Sequence, residues 1–344
     1  MLLPVDYQKL NENSLFIDVR SPEEFEKETI PGAINMPIFN NEERKLIGTL
    51  YKQVSPYEAN LKGIEIASTK LLDFYKKIYE LKNQHKELVF FCARGGMRSG
   101  VISTFINSMG VDVIKLRGGY KSYRKEVTDA LPELNSKVEY VVIHGNTGTG
   151  KTKVLEALKS MGYDVLDLED AANHRGSLLG SVGLGECRTQ KMFESKIYDT
   201  LKNVKNKYVF VEAESKRIGR VFIPEFIHES MKSGKHIFVD ADLDFRANII
   251  LEEYTKDENH KQDILDSLEK LRKYISDKRI NEYIDMVNDG KLHEVTKDLM
   301  VKYYDPMYMN TANKYTYDLS LEIIDIEKSA KEIANWAEKI YNNN

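Results

Sequence analysis

At 344 residues the chain exceeds an ordinary single core and predicts two domains, and its 42% hydrophobic content is enough to build both without staples. A formal net charge of −4 excludes a global nucleic-acid footprint, while two cysteines far apart in sequence exclude a disulfide framework and predict a reducing, cytosolic setting. No charged start followed by a long apolar stretch is present, nor any run near the ~18 apolar residues that span a bilayer, so neither export nor membrane insertion is expected.

The first predicted strand is Ser14 to Val19, followed by a short helix from Pro22 to Lys27. A helical pattern from about Ile64 to Leu81 leads into Glu87 to Phe91, an apolar run of buried-strand type. Cys92 follows that strand directly. Gly100 to Met109 reads as a helix, Val111 to Leu116 as a strand, and Gly118-Gly119 as a turn. Periodicity then breaks over Leu131 to Lys137, where a proline and polar residues predict a domain boundary.

A second α/β unit opens with Glu139 to His144 as a strand and Lys151 to Met161 as a helix. Further strands are predicted at Tyr163 to Leu168, Tyr208 to Glu212 and His236 to Asp240, after which the sequence is helical and charged until about Asp318. The alternation predicts parallel sheets in both units. Charge divides unevenly: residues 1–137 carry 20 basic and 18 acidic residues, leaving 30 and 36 for 138–344. A local basic set, Arg94, Arg98, Arg117, Lys121, Arg124 and Lys125, surrounds the cysteine segment, and for those outside the loop a solvated face is the competing reading.

Two motifs carry chemistry. In Cys92-Ala-Arg94-Gly-Gly-Met-Arg98-Ser99, a cysteine at the end of a buried strand and before a helix meets a cradle of backbone N–H groups that favours its thiolate. Arg94 and Arg98 are predicted to pair with an anionic donor or leaving group. The alternative is a buried, inert cysteine. Gly145-Asn146-Thr147-Gly148-Thr149-Gly150-Lys151-Thr152 satisfies the phosphate-loop pattern between an apolar strand and a helix. Its N–H groups would wrap phosphates, Lys151 would reach outer oxygens, and Thr152 is a candidate Mg2+ ligand. For a second carboxylate near the metal, Glu212 and Glu214 compete with Asp240 and Asp242.

The cysteine loop, with Asp18 to Phe25 and Gly32 to Pro37 upstream, resembles the rhodanese family over about residues 5–127, which implies a bracing role for Asp18 and Arg20. The spacing from Cys92 to Arg98 also matches cysteine phosphatases, and such a loop would hold a tetrahedral phosphate or a selenophosphate equally well. Further runs resemble one family, the tRNA 2-selenouridine synthases: Gly48 to Gln53, Asn173-His174-Arg175-Gly176-Ser177, Gln190 to Glu194, Glu212 to Ser215, and Tyr303-Tyr304-Asp305-Pro306. That resemblance implies a rhodanese-like parallel-sheet domain over 1–130, then a P-loop NTPase-like α/β domain over 138–344 with a helical C-terminal portion.

It also implies a transferase that replaces sulfur by selenium in wobble 2-thiouridine of tRNA, by S-geranylation with geranyl diphosphate and then selenation with selenophosphate. The expected co-substrates are therefore geranyl diphosphate and selenophosphate, with no tightly bound cofactor. Expected partners are the thiolated tRNA and a supplier of selenophosphate. Cys92 would serve selenium delivery and residues 145–152 the diphosphate, with His174, Arg175, Glu212, Lys216 and Arg217 as candidate substrate contacts and Cys187 a bystander. Tyr303, Tyr304 and Tyr308 are read as core or interface aromatics over base-stacking ones. Two other readings stay open: an ATP-dependent P-loop kinase or ATPase with a sulfurtransferase or phosphatase domain, and a nucleotide-gated thiol-sensing binding module.

Overall fold

A computed structural model describes residues 3–175, 184–255, 260–306 and 315–342. Contacts divide the chain into two units, Met1–Ala130 and Leu131–Asn344. In the first, strands β1 (Leu15–Asp18), β2 (Ile34–Asn35), β3 (Leu88–Phe91) and β4 (Ile114–Lys115) form a parallel sheet in the order β2-β1-β3-β4. All four residues of β3 are buried, as an unbroken apolar run in a central parallel strand requires. Helices α1 (Pro22–Lys27), α2 (Asn41–Gln53), α3 (Pro56–Ser68), α4 (Leu71–Gln84) and α5 (Met97–Ser108) complete the unit with the part of α6 (Gly119–Asn135) up to Ala130; the last five residues of α6 belong to the second unit.

Three local expectations change. The single helix expected from Ile64 to Leu81 is two, α3 and α4, because the Ser68 and Thr69 hydroxyls donate to the Glu65 and Ile66 carbonyls and divert the backbone there. Helix α5 begins at Met97, three residues before the expected Gly100, so it starts inside the cysteine loop. The two units divide between Ala130 and Leu131, at the edge of the expected boundary, but the helix does not break there: α6 carries Pro132 and runs on to Asn135. Tertiary contacts hold that last turn: Leu131 is buried, and Asn135 donates to Ser230 Oγ and accepts from the Tyr140 hydroxyl, both at 2.9 Å.

In the second unit, β5 (Glu139–His144) is the centre of a five-stranded parallel sheet. The other members are β6 (Val165–Leu166), β7 (Tyr208–Glu212), β10 (Lys235–Asp240) and β11 (Leu319–Glu322), in the order β11-β10-β5-β7-β6, and a small hairpin of β8 (Arg217–Ile218) and β9 (Val221–Phe222) leaves the end of β7. Helix α7 (Lys151–Ser160) and the final helix α15 (Ile326–Asn342) pack on this sheet through Val154, Leu158, Ile333 and Ala337. Around the sheet lie α8 (Leu168–Ala172), α9 (Gln190–Lys202) and α10 (Glu225–Lys232). The helical portion, α11 (Leu243–Tyr254), α12 (His260–Lys270), α13 (Asp277–Asn288) and α14 (Leu292–Leu299), contains a separate core that includes Leu268, Ile280, Tyr283 and Val295. Among the described residues no helix is long and apolar enough to cross a membrane.

Candidate functional site

Cys92 is buried at the carboxyl end of β3, with its Sγ 3.2 Å from Ser99 Oγ on the first turn of α5. Burial pushes the thiol up, but hydrogen bonds from the Ser99 side chain and backbone, the Arg98 charge and the Arg94 N–H outweigh it and bring the thiol below its ordinary value. The turn at Gly118-Gly119 seats this loop. A Cβ on Gly119 would lie 2.1 Å from the Cys92 carbonyl oxygen, and the next two residues donate their N–H groups to Cys92 and Ala93 at 2.9 and 3.0 Å. Only glycine permits that approach.

The base of the loop is held by a buried ion pair. Arg20 donates to Asp18 at 2.6 Å, Thr29 donates to the same carboxylate at 2.9 Å, and the guanidinium lies 4.4 Å from the Tyr120 ring. Arg94 is exposed at the loop rim. Arg98, expected to meet an anionic ligand, instead meets Glu24 on α1, with bonds of 2.6 and 3.0 Å.

The phosphate loop joins β5 to α7 at the sheet centre, where both neighbouring strands end beside it. Thr149 is fully buried and donates to the Asn146 carbonyl at 2.9 Å, and Lys151 Nζ donates back to the Gly145 and Asn146 carbonyls at 2.9 and 3.3 Å. Gly145 is close-fitted, since a Cβ there would lie 2.4 Å from the Val239 carbonyl. Thr152 is half-buried at the start of α7. Outside the loop, Arg246 on α11 donates to the Thr147 carbonyl at 3.0 Å and to Asp305 at 2.6 and 3.0 Å. The Asp of the Tyr303-Tyr304-Asp305-Pro306 run is thus a brace for the arginine that touches the loop. Tyr304 is buried in the helical core and Tyr303 packs edge-on against it; Tyr308 lies outside the described residues.

Of the competing carboxylates, Glu212 and Glu214 gather beside Lys151. Glu212 is buried and accepts the Glu169 N–H at 3.2 Å, and Glu169, Glu212 and Glu214 place carboxylate oxygens within 4.8 Å of one another. Burial and the Glu169 charge push Glu214 up to about 8, against the pull of Lys151, and burial with the same neighbour raises Glu212 well above the carboxylate range. Asp240 is exposed at the end of β10, and Asp242 caps α11 by accepting the Asp244 and Phe245 N–H groups. The clustered oxygens of Glu169, Glu212 and Glu214 are a hard donor set that fits Mg2+.

The other expected contacts are distributed. His174 packs with Cys187 against Gly219 of the β8–β9 turn, and burial lowers its imidazole below the ordinary value. Asn173 adopts a left-handed conformation and donates to the Leu184 and Glu186 carbonyls, while Arg175 ends this described stretch; Gly176 and Ser177 lie outside the described residues. Lys216 is exposed and ion-paired to Glu225, and Arg217 is exposed, donating to the Gly219 carbonyl.

A family model described as the tRNA 2-selenouridine synthase AAA domain matches residues 138–343, and a rhodanese-like domain model matches residues 4–126. The chain belongs to the tRNA 2-selenouridine synthase family. It is 37% identical over 243 residues to a tRNA 2-selenouridine synthase of Nitrosomonas eutropha, a match covering 69% of this chain and 62% of that protein. With the protein of that name from Pseudomonas syringae pv. syringae it shares 31% identity over 335 residues, 88% and 90% of the two chains. The N-terminal domain of a putative ATP/GTP binding protein from Clostridium difficile, a solved structure, is 43% identical over 36% of this chain and 98% of its own, with a TM-score of 0.35. The structure of TT1252 from Thermus thermophilus covers 58% of this chain and 97% of its own at 16% identity and a TM-score of 0.27.

Within this selenouridine synthase family member, sequence reasoning missed Arg246, which touches the phosphate loop, Glu169 in the carboxylate cluster, and His236 beside the strand that leads into the loop. The His236 ring faces His144, the last residue of β5, with Nδ1 to Nε2 at 2.8 Å. Arg246 is an arginine four residues after a capping aspartate, a pattern that gives no local sign of a partner near residue 305.

Proposed function

We propose that this protein converts 2-thiouridine at the wobble position of tRNA into 2-selenouridine in two steps served by the two loops. In the first, the thiouridine sulfur attacks C1 of geranyl diphosphate, the C–O bond breaks, and the uridine N3 proton is lost. Diphosphate departs into the N–H groups of residues 145–152 and the Lys151 ammonium, which stabilise the developing charge. If Mg2+ takes part, Thr152 with the Glu169, Glu212 and Glu214 cluster would hold it, and the ion would neutralise diphosphate oxygens.

In the second step, the selenium of selenophosphate attacks C2 and the C2–S bond breaks, releasing geranylthiolate, which takes up a proton. The Cys92 thiolate then attacks phosphorus, the P–Se bond breaks to leave the selenated base, and water hydrolyses the phosphocysteine so that phosphate leaves and the thiol is restored. Prenylation makes this displacement accessible, because a thioether sulfur leaves more readily than a thione. The N–H groups around Cys92 hold the tetrahedral phosphoryl group of selenophosphate and so place its selenium for delivery and its phosphorus beside the thiolate; Arg94 supplies positive charge at the rim. No step consumes ATP.

The observation that carries this reading is the combination, on one chain, of a thiol lowered below its ordinary value in a rhodanese-type loop with a phosphate loop between strand and helix. Nucleoside mass spectrometry of thiolated tRNA incubated with the protein, geranyl diphosphate and selenophosphate, without ATP, tests it. The expected product is 2-selenouridine; unchanged thiouridine from folded protein that becomes active on addition of ATP would overturn it.

A further inference from the structure

The N-terminal unit contains a cavity of about 400 Å3 beside the cysteine loop. Its walls are mostly apolar, with Phe39, Ile47, Gly63, Ile64, Phe74 and Val101 among them, contributed by α2 to α5 and the segment before α2. It also has an open side: Ile64 is 66% exposed, Met97 62% and Val101 56%, although all three line it. Apolar side chains gathered at the mouth of an apolar cavity mark a ligand site more than an unfinished core.

Two features fix where it opens. Met97 and Arg98 of the cysteine loop line it, as do Gly48, Tyr51 and Lys52 of the Gly48 to Gln53 run on α2. The two runs are 39 residues apart between Gln53 and Cys92, yet they meet at one cavity. At the same edge Arg98 and Arg44 converge on Glu24, Arg98 at 2.6 Å and Arg44 at 3.6 Å.

We propose that this cavity receives the ten-carbon prenyl chain of S-geranylated thiouridine during the selenium step, so that C2 of the base is presented to the Cys92 loop. The proposal rests on the two-step reading above. Arg44, Lys52, Asn60, Ser68, Lys70 and Arg98 also line it, but the lining surface is mostly apolar, which suits a prenyl chain with no polar group to satisfy better than a nucleobase or sugar. The volume lies within the range of about 300–1,000 Å3 usual for small-molecule sites. The chain would enter on the modified tRNA and leave as geranylthiol, so the cavity belongs to substrate and to product.

The test supplies the full-length protein with tRNA already geranylated on sulfur, together with selenophosphate. Ile64→Asp and Val101→Asp each place a charge at the mouth, on exposed positions where folding is retained, which circular dichroism checks. Both should raise KM for geranylated tRNA about tenfold, the expected consequence of a charge against an apolar chain. Geranylation of thiolated tRNA by geranyl diphosphate should proceed at the wild-type rate, so that geranylated tRNA accumulates. Unchanged KM in both folded variants, or equal loss of the two steps, would overturn the assignment. If the wild type does not selenate geranylated tRNA at all, the two-step reading fails, and geranylthiol binding by calorimetry then decides the cavity alone: binding abolished by Ile64→Asp upholds a prenyl site, and no binding to the wild type refutes it.

Discussion

Arg98 on α5 and Glu24 on α1 form a two-toothed ion pair, Nη1 to Oε2 at 2.6 Å and Nη2 to Oε1 at 3.0 Å. It ties the first turn after the cysteine loop to a helix whose own cap, Ser21, is bonded to the same carboxylate. Burial pushes Glu24 up, but Arg98, the Ser21 N–H and Arg44 hold it at about 2.

Glu24→Gln should therefore show an acid-dependent loss. The carboxyl is depressed from 4.5 to about 2, so its contribution is complete above pH 4.5 and vanishes as pH falls through the folded value. The variant is expected to unfold with about 1–2 kcal/mol less stability at pH 7, of the order of one charged hydrogen bond. Below pH 4.5 the two proteins should converge in denaturant titrations. A difference that stays constant down to pH 2.5 would show that Glu24 is not the titrating partner.

Ser99→Ala removes the contact most responsible for lowering the Cys92 thiol. In a Cys187→Ser background, its alkylation by iodoacetamide should follow a pH profile displaced to higher pH, with a rate several-fold lower at pH 7, as the thiolate fraction falls. Selenation should slow in parallel, and geranylation should not.

Asp305→Asn breaks the pair that holds Arg246 on the phosphate loop. Arg246 is buried, so the change leaves a charge without its partner, at a cost of about 3–5 kcal/mol in such sites. The expected result is a lower melting temperature and a higher KM for geranyl diphosphate, with selenation of geranylated tRNA preserved at temperatures where the variant is folded.

His144 sits beneath the phosphate loop, and burial, with the His236 and Lys151 charges, lowers its imidazole to about 3 from 6.5. The unfolded chain binds this proton first, so stability is lost as pH falls from 6.5 toward 3, by up to about 1.4 kcal/mol per pH unit. His144→Gln should flatten that part of the curve while weakening the protein near pH 7 through the lost bond to His236. An identical acid slope in wild type and variant would contradict this.

Both loops were legible in the sequence because their geometry is local: glycines at fixed offsets, a strand before and a helix after are written within ten residues. Glu212 and Glu214 are two of the four carboxylates the sequence offers, and they gather with Glu169 in one cluster near Lys151, whereas Asp240 is exposed and Asp242 caps α11. What encloses the loops was not legible. Arg246 and Asp305 are 59 residues apart, and the seat for Cys92 at Gly119 reads in sequence as an ordinary turn. Lys216 and Arg217, chosen for charge alone, lie on an exposed hairpin, one ion-paired and the other bonded to backbone. Charge composition cannot distinguish such a hairpin from a substrate contact.

The division of labour between the loops is tested most directly by following both nucleosides, geranylated and selenated, by mass spectrometry in Cys92→Ser and Lys151→Ala. Cys92→Ser should accumulate geranylated thiouridine and form no selenouridine. Lys151→Ala should form geranylated thiouridine at least about a hundredfold more slowly, the scale of losing one charge-stabilising group, yet selenate tRNA that is supplied already geranylated. Loss of both products in Cys92→Ser, or wild-type geranylation in Lys151→Ala, would contradict the account.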